Sequence, residues 1–140
     1  KFGKTYTKDR LEGLCIRVYL YEWNEFMCSQ IISSCDLAII PIDLSNPLVR
    51  GKPENKLLLF WRMGVPVITS ATPAYERAMQ RAGLKMTCND NNDWFNLLNK
   101  YITSQEDREY SAIAGKRVAD ENYSEETVLR NWDKVFDSIF

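Results

Sequence analysis

The sequence predicts an α/β domain in which a parallel sheet carries helices on both faces and a helical tail follows. Short apolar runs at residues 37–41 and 65–69 have the length and β-branched content of strands buried on both faces. Segments with helical period separate these runs, and this alternation is typical of βαβ units. Right-handed crossovers then place helices on both faces, so the predicted fold class is Rossmann-like.

The chain has 140 residues, which is the size of one domain. Its 45% hydrophobic and 26% charged content is that of a folded globular protein rather than a disordered one. Eighteen Lys and Arg against nineteen Asp and Glu give a net charge of -1, which argues against generic nucleic-acid binding. Histidine is absent, and with it the commonest general base and metal ligand.

The first half of the chain begins with a strand signal, because residues 15–21 alternate apolar and polar side chains and are rich in β-branched and aromatic types. A helix is predicted over residues 24–34, a strand over 37–41 and a polar loop over 42–52. Residues 57–63 are almost wholly apolar and end at Gly64, which predicts a helix buried on most sides, with Phe60 and Trp61 in the core. Residues 65–69 form the next predicted strand.

In the second half, Thr72 and Pro73 predict an N-cap and a first helical residue, with the helix running to about Ala82 and ending at Gly83. A fourth strand follows at 84–88, and the rest is helical, at 92–102, 105–122 and 124–140. The last helix carries one apolar stripe. We expect Trp132 to be buried within the monomer and Phe140 to be exposed or in an intermolecular contact. The stripe comprises Leu129, Trp132, Val135, Phe136 and Ile139.

The four cysteines, Cys15, Cys28, Cys35 and Cys88, include no C-x-x-C pair. We expect four reduced, structural thiols and therefore a cytoplasmic protein. No apolar run approaches the roughly 20 residues of a membrane span, and residues 1–10 have no signal-peptide character. Because the chain opens without Met and shows only four strand signals, we interpret residues 1–140 as one domain of a longer protein.

Three phrases resemble the C-terminal, donor-binding half of a GT-B glycosyltransferase of the bacterial, family-4 type. They are SCDLAIIP at 34–41, the stretch from PENKLL to GVPVI at 53–68, and TPAYE at 72–76; the tail from residue 121 is similar to the closing helix of that family. The resemblance implies transfer of a sugar from a nucleotide-sugar to an acceptor without a metal or other cofactor. It also implies that the acceptor-binding N-terminal half of the same chain is missing here.

The segment from Arg50 to Lys56 is the main candidate for a ligand site. It carries Arg50, Lys52 and Lys56, Gly51 permits a tight turn, and a helix predicted to begin near Pro53 would direct free N–H groups at the loop. A solvated basic loop is the alternative, but the resemblance favours contact with a diphosphate. The resemblance also places Glu22 and Trp23 beside the nucleobase, although Trp23 could equally be a core residue at a helix start. The predicted donor-binding residues are Glu22, Trp23, Arg50, Gly51, Lys52, Glu54, Asn55 and Lys56.

Three hydroxyls, those of Ser70, Thr72 and Tyr75, follow another strand and could bind phosphate or sugar, but N-capping by Thr72 alone is the favoured interpretation. One departure from the family is clear. Its members commonly carry a Glu-x7-Glu pair whose second Glu holds the donor ribose, and the matching positions are Gly51 and Leu59. Two alternatives therefore stay open: a non-catalytic interaction domain that keeps the fold, and an unrelated doubly wound phosphate-binding module. The second lacks a G-x-G-x-x-G or Walker loop.

Overall fold

The computed structural model describes residues 11 and 13–139, and their sheet is parallel, as the sequence predicts. Three short strands, β1 (Ala38–Ile40), β2 (Val67–Ser70) and β3 (Thr87–Cys88), lie in the order β1-β2-β3. Ala38 pairs with Val67 and Thr69 with Thr87. Consecutive parallel strands need a crossover. Two helices lie between β1 and β2 along the chain, and one lies between β2 and β3.

Helices make up most of the domain. They are α1 (Glu25–Ser33), α2 (Pro47–Arg50), α3 (Asn55–Arg62), α4 (Pro73–Ala82), α5 (Asn91–Thr103), α6 (Gln105–Asn122) and α7 (Glu125–Asp137). Helix α3 packs on β1 and β2, and α5 packs on β2 and β3, while α6 crosses α3, α4 and α5. The central strand β2 is buried at all four residues, so it is covered on both faces.

The local signals around α4 act as predicted. The Thr72 hydroxyl accepts a hydrogen bond from the Tyr75 N–H at 3.3 Å, and Pro73 occupies the first turn. The helix ends at Gly83, whose φ of 68° lies in the left-handed region that glycine adopts most readily. The predicted bounds of α4 and α6 are therefore confirmed, because caps and breakers act within a few residues of themselves.

The predicted first strand is wrong. Among the described residues, 13–16 form turns and bends, and 17–24 belong to no helix or strand. The side chains of this segment are exposed, so it makes no fourth strand beside β1. Alternating apolar residues suit a strand, but an isolated strand is not stable without a neighbour to bond its backbone. The sheet also covers β1 less than predicted: Ile39 is 52% exposed, so one face of this strand is open.

The expectation that Trp132 is buried within the monomer is also wrong. Trp132 is 57% exposed, and α7 contains no buried residue. Phe140 lies outside the described residues. The apolar period predicted the stripe correctly, but period alone does not identify the surface that a stripe contacts.

The thiols divide by burial rather than sharing one structural role. Cys88 is buried, Cys28 is half-buried, and Cys15 and Cys35 are exposed, with all four free. The expectation that all four thiols are structural is wrong for the exposed Cys15 and Cys35, and only Cys88 is fully buried. Within the described part of the chain, no helix combines the length and apolar character that a membrane crossing requires.

Candidate functional site

The candidate site lies where the chain leaves the carboxyl end of β1. Residues 41–54 connect β1 to α3, and the short helix α2 interrupts them. Asn46 caps α2, its side-chain oxygen accepting hydrogen bonds from the N–H groups of Leu48 at 3.1 Å and Val49 at 3.4 Å. Ligands of open parallel sheets bind at this edge, outside the carboxyl ends of the strands. The sequence did contain a signal for α2, because Asn followed by Pro is typical of a helix start.

Ser70 fixes the beginning of this connection to the sheet. Its hydroxyl accepts a hydrogen bond from the Ile42 N–H at 2.7 Å and donates one to the Ile42 carbonyl at 3.0 Å. Thr72 caps α4, which confirms the favoured interpretation of that residue, and Tyr75 is buried in the core. The three hydroxyls that could have bound phosphate or sugar are thus buried, and two of them are used by the backbone.

Residues 50–56 are here called the basic loop, and the side chains of its three cations face solvent. Arg50, Lys52 and Lys56 are exposed, and none of their side chains forms an ion pair or hydrogen bond with a described residue. Gly51 ends α2, and Asn55 and Lys56 begin α3 rather than lying one turn inside it. The prediction that this helix begins near Pro53 is wrong by two residues, which leaves Pro53 in the loop.

The carboxylate of Glu54 does not cap a helix and instead bonds a distant tyrosine. Glu54 occupies the N-cap position of α3, but its side chain makes no capping bond. Instead, Oε1 of Glu54 accepts a hydrogen bond from the Tyr123 hydroxyl at 2.7 Å, and that hydroxyl accepts one from Nη1 of Arg81 at 2.8 Å. Tyr123 and Arg81 come from the ends of α6 and α4, so sequence spacing gave no sign of this chain of contacts.

The carboxylate of Glu54 affects the pKa values of two tyrosines, Tyr123 and Tyr75. Burial and then the Glu54 carboxylate, both as hydrogen-bond partner and as a charge, raise the pKa of Tyr123, while Arg81 opposes the shift. Burial and the charge of Glu54 also raise the pKa of Tyr75. Both phenols therefore stay protonated at neutral pH, and Tyr123 can donate to Glu54 throughout the physiological range.

The other sequence-predicted residues lie outside this cluster. Glu22 and Trp23 are exposed in the segment before α1, and Trp23 is 76% exposed, so the alternative that it is a core residue is wrong. Its contact with a nucleobase stays a prediction. Gly51 and Leu59, where the resemblance alone would place a pair of carboxylates, are exposed, and neither offers a group that could hold ribose hydroxyls. Within residues 11 and 13–139 there is no group of three or more acidic or thiol side chains placed to hold a metal ion.

Comparisons of this chain with known proteins found no relative. No protein-family model matches the chain, and neither the curated proteins nor the solved structures contain a match. What the fold and the site define is therefore a class: an α/β domain with a parallel sheet and a basic loop at the carboxyl edge of that sheet.

Proposed function

We propose that this domain binds the diphosphate of a nucleotide-sugar and serves as the donor-binding domain of a glycosyltransferase. The observation that carries the proposal is the basic loop. Three exposed cations without described partners, Arg50, Lys52 and Lys56, lie in the connection from β1 and at the start of α3, at the edge where parallel sheets bind ligands. An anion with two phosphates matches this number of charges, because each cation can form a charge-assisted hydrogen bond.

The contacts of Glu54 support the same assignment. A carboxylate in the middle of a basic loop would repel phosphate, but here it bonds the Tyr123 hydroxyl, and Arg81 lies next in the chain of contacts. The positive charge of Arg81 compensates the negative charge of Glu54 at that point. A ligand bound at the loop would therefore interact mainly with the positive charges of Arg50, Lys52 and Lys56.

The chemistry proposed for this site is the departure of a nucleoside diphosphate as a sugar is transferred to an acceptor. Negative charge develops on the diphosphate in that reaction, and nearby cations lower the barrier by stabilising it. We propose that Lys and Arg supply this stabilisation without a metal or other cofactor. The acceptor would bind on the N-terminal half of a longer chain, in the cytoplasm, and the domain alone would be inactive.

A non-catalytic interaction domain is the second candidate. Two observations favour it: neither Gly51 nor Leu59 supplies a carboxylate for ribose, and several large apolar side chains of α7 are exposed. A domain that kept the fold but lost the donor site would have this combination.

Calorimetric titration separates the two candidates. The full chain is titrated with UDP, GDP, ADP, CDP and TDP, with inorganic sulfate at equal ionic strength as the control for nonspecific anion binding. A donor-binding domain binds at least one nucleoside diphosphate in the micromolar to millimolar range, more tightly than sulfate and less tightly as salt increases. Equal heats for every nucleotide and sulfate would reject donor binding and leave the interaction domain.

A further inference from the structure

One apolar surface of α7 is exposed along the length of the helix. Val128, Trp132 and Val135 lie four and three residues apart on this helix, and Ile139 follows after four more, in the turn beyond it. This spacing is the seam of a coiled coil. Leu129 and Phe136 widen it on one side. The α7 stripe comprises Val128, Leu129, Trp132, Val135, Phe136 and Ile139, all of them exposed.

Two aromatic side chains of the α7 stripe contact each other. The rings of Trp132 and Phe136 stack with centroids 5.9 Å apart and planes inclined by 27°. Aromatic side chains have few rotatable bonds, so ordering them in an interface costs less entropy than ordering flexible ones. The stacked pair is consequently a ready anchor for another apolar surface.

We propose that the α7 stripe binds the same stripe of a second copy of this chain, with the two helices antiparallel. The charges on the helix favour a second copy. The residues that flank the seam are neutral, namely Leu129, Asn131, Phe136 and Ser138. Apart from Glu125 at the start of the seam, the charged residues lie on other faces, where Glu126 and Arg130 approach within 3.9 Å on one helix. Two identical stripes therefore meet without placing like charges together, which is the requirement for a self-complementary interface.

Direction follows from Glu125. This residue continues the seam three positions before Val128. In a parallel pair the two Glu125 carboxylates would face each other and the helix dipoles would be aligned, and both effects are unfavourable. In an antiparallel pair, Trp132 of one copy packs on Val135 of the other and Val128 packs on Ile139. The two Glu125 residues then lie at opposite ends of the interface.

The area of the α7 stripe is sufficient for a weak dimer. Its six residues expose roughly 600 Å² in one copy, so pairing can remove at most about 1,200 Å² in total, the lower limit of specific interfaces. Such an area is typical of a reversible complex with micromolar affinity rather than of an obligate dimer. The second copy contributes nothing to the basic loop, so this proposal is independent of the donor site.

Sedimentation velocity of the full chain, from about 1 µM to about 1 mM, tests the proposal. Two variants that each change the charge by the same amount give a matched comparison: Val135→Glu places a carboxylate in the seam, and Lys134→Gln removes a charge beside it. Because neither residue is buried, both variants keep their fold, which circular dichroism checks. We expect the wild type to approach the mass of a dimer, Val135→Glu to raise the dissociation constant at least about tenfold, and Lys134→Gln to change it less than about twofold.

Three results would overturn the proposal. The wild type could remain at the monomer mass at every concentration. This would also be the result if residues 14–27 of the same chain covered the stripe. The two variants could weaken association equally. A mass that keeps growing beyond the dimer would mean that the contact does not close on itself.

Discussion

The indole of Trp61 lies directly against Gly115, where α3 crosses α6. A Cβ atom placed on Gly115 would come within 2.6 Å of Cδ1 and Nε1 of Trp61. Trp61 is fully buried, and its Nε1 has no hydrogen-bond partner among the described residues. The ring therefore packs closely on the helix backbone although its N–H group lacks a hydrogen-bond partner. This close packing is possible because residue 115 is glycine.

Replacing Gly115 with alanine is therefore expected to destabilise the fold. Overpacking costs about 1–3 kcal/mol, and the better helix propensity of alanine returns up to about 1 kcal/mol. The expected net loss in the free energy of unfolding is about 1–2 kcal/mol, measured by urea denaturation. Gly51→Ala is the control, because Gly51 is exposed and its new Cβ would meet only an ordinary contact, Pro47 O at 3.5 Å. Equal stability of the two variants would contradict the close packing.

The parts of the fold that were predictable depend on neighbours in sequence. Thr72, Pro73 and Gly83 define α4 because a cap, a first-turn proline and a left-handed glycine each act within one turn of the helix. The contact between Trp61 and Gly115 joins positions 54 apart in the sequence, and glycine in mid-helix predicts no such partner by itself. The apolar pattern likewise predicted neither the open face at Ile39 nor the exposure of Trp132.

The candidate site divides in the same way. The basic loop could be predicted because its cations are close in sequence, and the structure shows that all three are exposed. The tie between Glu54 and Tyr123 could not be predicted, because it depends on how α3 and α6 are aligned. Ser70 was identified as a candidate, but its actual partner, Ile42, lies on another strand connection.

Removing the hydroxyl of Tyr123 tests its bridge between Glu54 and Arg81. Tyr123→Phe keeps the ring and removes both hydrogen bonds, so we expect the free energy of unfolding to fall by about 1 kcal/mol. Tyr110→Phe is the control, because Tyr110 is exposed on the same helix α6 and no described residue bonds its hydroxyl. Thermal denaturation of both variants gives the comparison. No difference in melting temperature between them would show that the bridge contributes nothing to stability.

Stability at alkaline pH should report the burial of Cys88. Burial, followed by the charges of Asp93 and Asp90, raises the pKa of this thiol from 9.0 to about 11. The unfolded chain loses its proton near pH 9 and the folded chain only near pH 11, so the stabilisation is complete below pH 9 and is lost as pH rises between these values. A shift of this size corresponds to about 2–3 kcal/mol. The raised pKa of Tyr75 and Tyr123 adds to the loss above pH 10.

The measurement is the free energy of unfolding in urea from pH 8 to 11 under reducing conditions, for the wild type and Cys88→Ala. We expect the curve of the variant to fall less steeply above pH 9. Cys35→Ala is the control, because Cys35 is exposed. Curves of equal slope for the wild type and Cys88→Ala would mean that Cys88 titrates alike in the folded and unfolded chain.

Lys56 is the most direct test of the basic loop. It lies at the start of α3, where its ammonium group adds to the positive end of the helix dipole, and its side chain has no described partner. Replacing it with alanine removes a charge-assisted hydrogen bond to phosphate, which is worth about 1.5–3 kcal/mol. The calorimetric affinity for the nucleoside diphosphate that binds most tightly should therefore fall about 10- to 150-fold.

Lys85→Ala is the matched control for Lys56→Ala, because it removes the same charge from an exposed residue that precedes β3, at the opposite edge of the sheet. A diphosphate bound at the basic loop responds to Lys56 and changes less than about twofold with Lys85, since an exposed charge at a distance is screened. Raising the salt concentration should reduce the difference between the wild type and Lys56→Ala, because the lost interaction is electrostatic. If Lys56→Ala and Lys85→Ala weaken binding equally, the nucleotide responds only to overall charge, and the basic loop is not its site.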